Sequence, residues 1–214
     1  MGTALTFTAW SFFRVIGAAF NPCVALTLFL VGALKPLRFA LYCIAHLLAG
    51  IAACAVLAGI MPGNLAIACR LGNGTSVVRG LFIEMFLTCF LCFTVCLTAI
   101  ERHRATHICA IAIGLALFST QLFALKLTGA AVNTARALGA AVLTDFDGYH
   151  WIYWLGPALG AVLAAGMYKL LLFAHFWEWQ EHEDEVPASQ AVRYAFSDIT
   201  REQKLSAPVT IERV

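Results

Sequence analysis

Charge is what this sequence lacks. Asp, Glu, Lys and Arg make up 12% of its 214 residues, about half the roughly 25% of an ordinary soluble domain. A water-facing globular surface is hard to build from so little. The formal net charge of +2 and the lack of any basic run interleaved with aromatics exclude a nucleic-acid binder. Histidines stand singly, as at His46, His107 and His150, with no metal-ligand spacing. Neither a metal, a cofactor nor an enzyme active site is implied. A basic n-region followed by a cleavage site, the mark of a secretory signal, is also missing from the first twenty residues.

Eight cysteines are present, but they do not make a disulfide framework. Cys23, Cys43, Cys54, Cys89, Cys92, Cys96 and Cys109 lie in apolar tracts, and only Cys69 reads as a loop residue. Cys89, Cys92 and Cys96 fall at i, i+3 and i+7 on one helix face. Their first pair resembles a CxxC motif. Without neighbouring ligands in a polar setting the three read as a packing stripe of small apolar side chains.

What is abundant is apolar sequence: 61% hydrophobic residues and a mean hydropathy of +0.82. The chain is therefore counted in bilayer crossings of about 20 residues. Residues 39–61, 81–100, 107–127 and 149–173 read as full spans. Residues 1–14 are too short for one and read as the end of a helix. Tyr149, Trp151, Tyr153 and Trp154 suit an interfacial aromatic belt. Glu84 stands alone inside its span, and an intramembrane acid is a functional or structural residue by default. The polar, partly acidic tail at 175–214 reads as a disordered cytoplasmic extension.

Two stretches repeat. Residues 17–26 read GAAFNPCVAL and residues 129–138 read GAAVNTARAL, identical at six of ten positions, with Asn21 and Asn133 112 positions apart. Asn21 is a good N-cap and Pro22 suits the first helical position. Gly32 and Pro36 suggest a helix of about ten residues, about 15 Å long, or half the hydrocarbon thickness. On this segment alone, a full span starting at Ile16 is the alternative. Half-helices are expected at 21–32 and 133–144. Three spans separate the copies, so the repeats are inverted, which places a site near the midplane where helix N-termini converge. Arg136 adds a fixed charge one turn into the second copy, and so should line a wet pathway. The Lys and Arg distribution puts the C-terminus in the cytoplasm. Asn73, in the sequon Asn73-Gly74-Thr75, would then face outside as a possible glycan acceptor.

On these residues the chain resembles an aquaporin of the major intrinsic protein family. That family's two Asn-Pro-Ala boxes correspond to Asn21-Pro22-Cys23 and Asn133-Thr134-Ala135, and its filter arginine to Arg136. Supporting matches are Gly80 to Glu84, Ala112 to Leu115, Thr128-Gly129 and Trp151 to Pro157. The resemblance runs from Met1 to about Phe173. It implies an all-α polytopic fold with two re-entrant half-helices in a membrane domain at 1–174. Glu84 would brace the second re-entrant loop. Gln121 and Ala130 would take the remaining filter positions, leaving a wide constriction with little aromatic character. Ala137 lacks the acid of glycerol-conducting members, and Tyr153-Trp154 resembles the water-type pattern. Expected from this are passage of water, with glycerol or hydrogen peroxide behind it, a homotetramer in a lipid bilayer, and a plasma-membrane location. Thr134 in place of proline should loosen the first turn of the second half-helix. The family has six spans, so its first helix is expected to be missing here. A second reading follows from that, a truncated, non-conducting membrane interaction protein.

Overall fold

The computed structural model describes residues 1–63, 66–72, 74–101 and 104–175; Asn73 and the tail beyond His175 lie outside the described residues. Among the described residues every regular element is helical. In chain order they are α1 (Gly2–Ile16), α2 (Pro22–Leu30), α3 (Pro36–Ile60), α4 (Val77–Val95), α5 (Cys109–Ala124), α6 (Thr134–Leu143) and α7 (Ile152–Phe173). A π turn at Cys96–Ile100 extends α4, and a 3-10 turn at Arg104–Ile108 leads into α5.

Four of these rods, at Pro36–Ile60, Val77–Ile100, Thr106–Ala124 and Ile152–Phe173, are long and apolar enough to cross a membrane, with mean hydropathies from 2.3 to 1.6. Helix is the form such sequence must take, since lipid offers backbone N–H and C=O groups no partner. Large apolar side chains point outward along them, among them Leu48, Phe86, Leu122 and Leu170. α3 has no fully buried residue. The chain is an integral membrane protein.

Local chemistry sets where the helices start and stop. Pro22 and Pro36 occupy first-turn positions of α2 and α3, where a missing N–H costs nothing. Ser76 caps α4 by accepting from the Arg79 N–H at 3.3 Å. α2 is only nine residues long. It ends where the backbone N–H groups of Ala33 and Leu34 both turn back onto the Leu28 carbonyl. α5 stops at Ala124, three residues before the end of the apolar tract at 127. There the N–H groups of Leu127 and Thr128 both take the Ala124 carbonyl, which tightens the chain into a turn.

Glycines bring the helix backbones into direct contact. α3 crosses α6 at Gly50 and Gly139, α1 crosses α5 at Gly2 and Gly114, and α4 crosses α7 at Gly156 and Gly160. A Cβ added to Gly139 would overlap the Gly50 carbonyl, and one added to Gly160 would overlap that of Met85. Small residues at membrane helix crossings allow this approach, and dispersion then holds the helices together.

These crossings give a test with a sign. Replacing glycine by alanine inside a helix is worth about 1 kcal/mol on propensity alone, whereas overpacking costs about 1–3 kcal/mol. Gly139→Ala should therefore lower the thermal unfolding midpoint in detergent. Gly59→Ala, whose Cβ would meet nothing within 4 Å, should leave the midpoint unchanged or raise it. Equal midpoints for the two variants would refute the close crossing.

Candidate functional site

α2 and α6 meet tip to tip inside the bundle. Asn21 and Asn133 cap them from extended backbone conformations. The Asn21 Oδ1 accepts from the Cys23 N–H at 2.9 Å. The Asn133 Oδ1 accepts from the N–H groups of Ala135 at 2.9 Å and Arg136 at 3.3 Å. The amide nitrogens then cross over. Asn21 Nδ2 donates to the Val132 carbonyl at 2.8 Å, and Asn133 Nδ2 donates to the Phe20 carbonyl at 3.1 Å. Each asparagine is thus held by the residue immediately before the other one. An amide nitrogen carries two hydrogens, so each keeps one for whatever fills the space beside it. That space is a cavity of about 790 Å³ lined by Asn21, Asn133 and Arg136 among apolar neighbours that include Val24, Leu28 and Val132.

The loop before Asn133 is bent to present its carbonyl inward. Gly129, Ala130 and Val132 all have positive φ, at 79°, 46° and 52°. For β-branched Val132 this is a strained conformation that only strong surroundings maintain. Glu84 supplies them from α4. Its Oε1 accepts from the Thr128 hydroxyl at 2.6 Å and the Ala131 N–H at 3.0 Å, and its Oε2 accepts from the Val132 N–H at 2.8 Å. Tyr153 on α7 adds a hydroxyl hydrogen bond to the Thr128 carbonyl at 2.8 Å. The first loop has a counterpart. Tyr42 on α3 donates to the Ile16 carbonyl at 3.1 Å, and His46 Nε2 lies 2.7 Å from the Ala19 carbonyl. Ile16 and Thr128 are equivalent positions of the repeat, so a tyrosine hydroxyl anchors each half.

Arg136 points from the first turn of α6 to the sulfur of Cys69, which accepts a hydrogen bond from its Nη1. The segment carrying Cys69 is well anchored. The Leu71 N–H reaches the Tyr149 hydroxyl at 3.3 Å, the Gly72 N–H reaches the Leu127 carbonyl at 2.9 Å, and Arg70 pairs with Asp147 at 3.5 Å. Gly129 packs so closely on the Cys69 backbone that a side chain there would clash. Burial pushes the Cys69 thiol up to about 11 against the opposing pull of Arg136. It therefore stays protonated at neutral pH and offers the guanidinium a neutral acceptor. Nothing in the spacing of the sequence marks Cys69, Tyr42 or Tyr153 for these roles.

The other residues singled out from the sequence take varied places. Pro22 starts α2 and Ala135 is buried beside Asn133. Cys23 Sγ lies 3.3 Å from Thr134 Oγ1, joining the two half-helices. Gln121 and Ala130 do not line the cavity. The Gln121 Nε2 donates to the Ala130 carbonyl at 2.9 Å, which turns its amide onto the backbone, and Ala130 is fully buried. No group of three or more His, Cys, Asp or Glu able to hold a metal ion is found among the described residues.

Glu84 is the residue whose removal should disturb this arrangement most. In Glu84→Gln one oxygen becomes an NH₂ among three converging donors, leaving at least one of them unpaired at a cost of about 1–3 kcal/mol. Faster amide exchange at Ala131 and Val132 and a lower unfolding midpoint are expected. Unchanged exchange at both amides would rule out the brace.

Comparison with known proteins follows the same lines. The pattern of the family described as Major intrinsic protein matches residues 1–168. Aquaporin-2 of Botryotinia fuckeliana is 46% identical over 184 residues, covering 86% of this chain and 49% of that protein. Aquaporin-1 of Laccaria bicolor is 47% identical over 186 residues, covering 86% of this chain and 59% of that one. The chain spans about half the length of these curated relatives. The X-ray structure of the aquaglyceroporin from Plasmodium falciparum superposes with a TM-score of 0.72 at 20% identity, covering 81% of each chain, which shows the shared fold. With the matching pattern and the paired asparagine caps, the chain belongs to the major intrinsic protein family.

Proposed function

We propose that this chain forms a passive channel for water. The observation that carries the proposal is the pair of crossed asparagine amides on one cavity wall, at the meeting point of two helix N-termini. Each N-terminus carries roughly half a positive charge, and Arg136 adds a full one. A cation entering there would shed its hydration and meet only positive potential. A neutral molecule with lone pairs meets oriented N–H donors instead, so water can exchange hydrogen bonds as it passes. The described residues of the site hold no carboxylate toward the cavity, since Glu84 is committed to the Thr128–Val132 loop.

A small neutral solute such as glycerol or hydrogen peroxide is the second reading. It is favoured by a cavity of about 790 Å³, many times the roughly 30 Å³ share of one liquid water, and by Gln121 and Ala130 standing back from it. The orientation with the C-terminus in the cytoplasm rests on Arg14, Lys35, Arg38 and Lys169 lying toward one end, with Arg70 and Arg79 toward the other. A homotetramer in the plasma membrane is the assembly the family likeness suggests.

Stopped-flow light scattering on proteoliposomes tests this. The chain should speed osmotic shrinkage several-fold over empty vesicles, and no acceleration would overturn the channel. Arg136→Ala should keep water flow while raising the glycerol-to-water permeability ratio by roughly tenfold, equivalent to about 1.4 kcal/mol. An unchanged ratio would remove Arg136 from the constriction.

A further inference from the structure

We propose that Cys23 and Thr134 are a compensating pair, in which the Cys23 sulfur positions the first turn of α6 at the site proposed above. The repeat aligns Pro22 with Thr134 and Cys23 with Ala135. α2 therefore opens with a residue that has no backbone N–H to satisfy. α6 opens with Thr134, which brings one back together with a hydroxyl, in the middle of the bundle where the residue is only 5% exposed. A buried hydroxyl needs a partner within the protein, and lipid and packed apolar side chains supply none.

The N–H groups that follow in that first turn have acceptors within α6 and its cap. Those of Ala135 and Arg136 go to the Asn133 side chain, and that of Ala137 goes to the Asn133 carbonyl. Thr134 is tied across the junction by its side chain, whose hydroxyl meets the sulfur of Cys23. The Sγ to Oγ1 separation is 3.3 Å. A thiol and a hydroxyl can each donate or accept, so the sulfur gives the added hydroxyl a partner in the packed interior. Alanine at position 23 would take that partner away.

The sulfur is itself held in place. The Thr27 hydroxyl, one turn on, lies 3.1 Å from the Cys23 carbonyl and 3.3 Å from the Ala161 carbonyl, which ties this turn of α2 to α7. Cys23 does not line the cavity, so it acts through α6 and not on the passing molecule. What it positions is Arg136, two residues beyond Thr134. Proline is compatible with position 134, because Asn133 has the extended backbone, φ −148° and ψ 113°, that a residue before proline requires. The two departures from the Asn-Pro-Ala pattern thus answer each other: threonine adds a hydroxyl and cysteine pairs with it.

Four variants of the full chain test the pair: Cys23→Ala, Cys23→Ser, Thr134→Pro, and the double Cys23→Ala/Thr134→Pro. Unfolding midpoints in detergent and the glycerol-to-water permeability ratio in proteoliposomes are the readouts. Cys23→Ala should lose about 3 °C or more and shift the ratio, while Cys23→Ser keeps both. The double variant should recover most of what Cys23→Ala loses, because proline removes the hydroxyl that alanine strands. Should Cys23→Ala fail to accumulate, accumulation of the double variant supports the pair. A wild-type midpoint for Cys23→Ala, or a double variant no better than Cys23→Ala, overturns it. If the unsubstituted chain does not conduct, the channel reading falls, and the midpoints still decide the pair.

Discussion

Two helix N-termini pointing at each other repel, since each carries a partial positive charge. The structure offsets that repulsion with the crossed exchange between Asn21 and Asn133, and much of the fold serves to make the exchange possible. Each asparagine needs an oxygen for its own helix and a carbonyl across the junction for its nitrogen. The carbonyls come from Phe20 and Val132, the residues entering the caps, so both loops must turn their backbones inward. Backbone turned inward in a membrane cannot be left to lipid. The loops are accordingly pinned from the spanning helices, the first by Tyr42 and His46 on α3, the second by Glu84 on α4 and Tyr153 on α7.

The two halves meet this requirement by different means. At the first junction proline removes a donor, and the described positive-φ residues before it are Gly17 and Ala18. At the second, three residues of the loop have positive φ, including a β-branched one, and threonine adds a donor. The second half is therefore the more strained and the more heavily braced, with a carboxylate receiving three hydrogen bonds and a thiol paired with the first-turn threonine hydroxyl. It is also the half that carries Arg136. Strain and bracing together fix a side chain more tightly than a relaxed loop would, which suits a charge whose position matters.

How far this could be read from the chain alone follows from which interactions leave a local trace. The spans were legible because lipid imposes helix on any long apolar tract, and the paired caps were legible because Asn21 and Asn133 sit in matching ten-residue stretches. Glu84 stood out as the single acid within a span. The helix ends were less legible, since the turn after Ala124 depends on bonds to carbonyls and not on a breaker residue. Cys69 was not legible at all: it is 67 positions from Arg136, and contacts across such distances impose no periodicity. Gln121, which the family resemblance places at the filter, donates to the Ala130 carbonyl, a contact with the second loop that its own stretch of sequence does not announce.

Selectivity at such a site need not come from a tight fit. Two helix termini and Arg136 set the sign of the potential, and the Cys69 thiol, kept protonated by burial, adds no compensating charge beside the arginine. The spare amide hydrogens of Asn21 and Asn133 set which end of a dipole is welcome. None of these features depends on Cys23 or Thr134 presenting a particular group to the cavity, because both face the junction between the half-helices. Departures from a family motif at those two positions can therefore leave the field and the donors at the cavity unchanged, so long as the first turn of α6 stays where the asparagine exchange needs it. The two positions are free to change together and are constrained against changing alone.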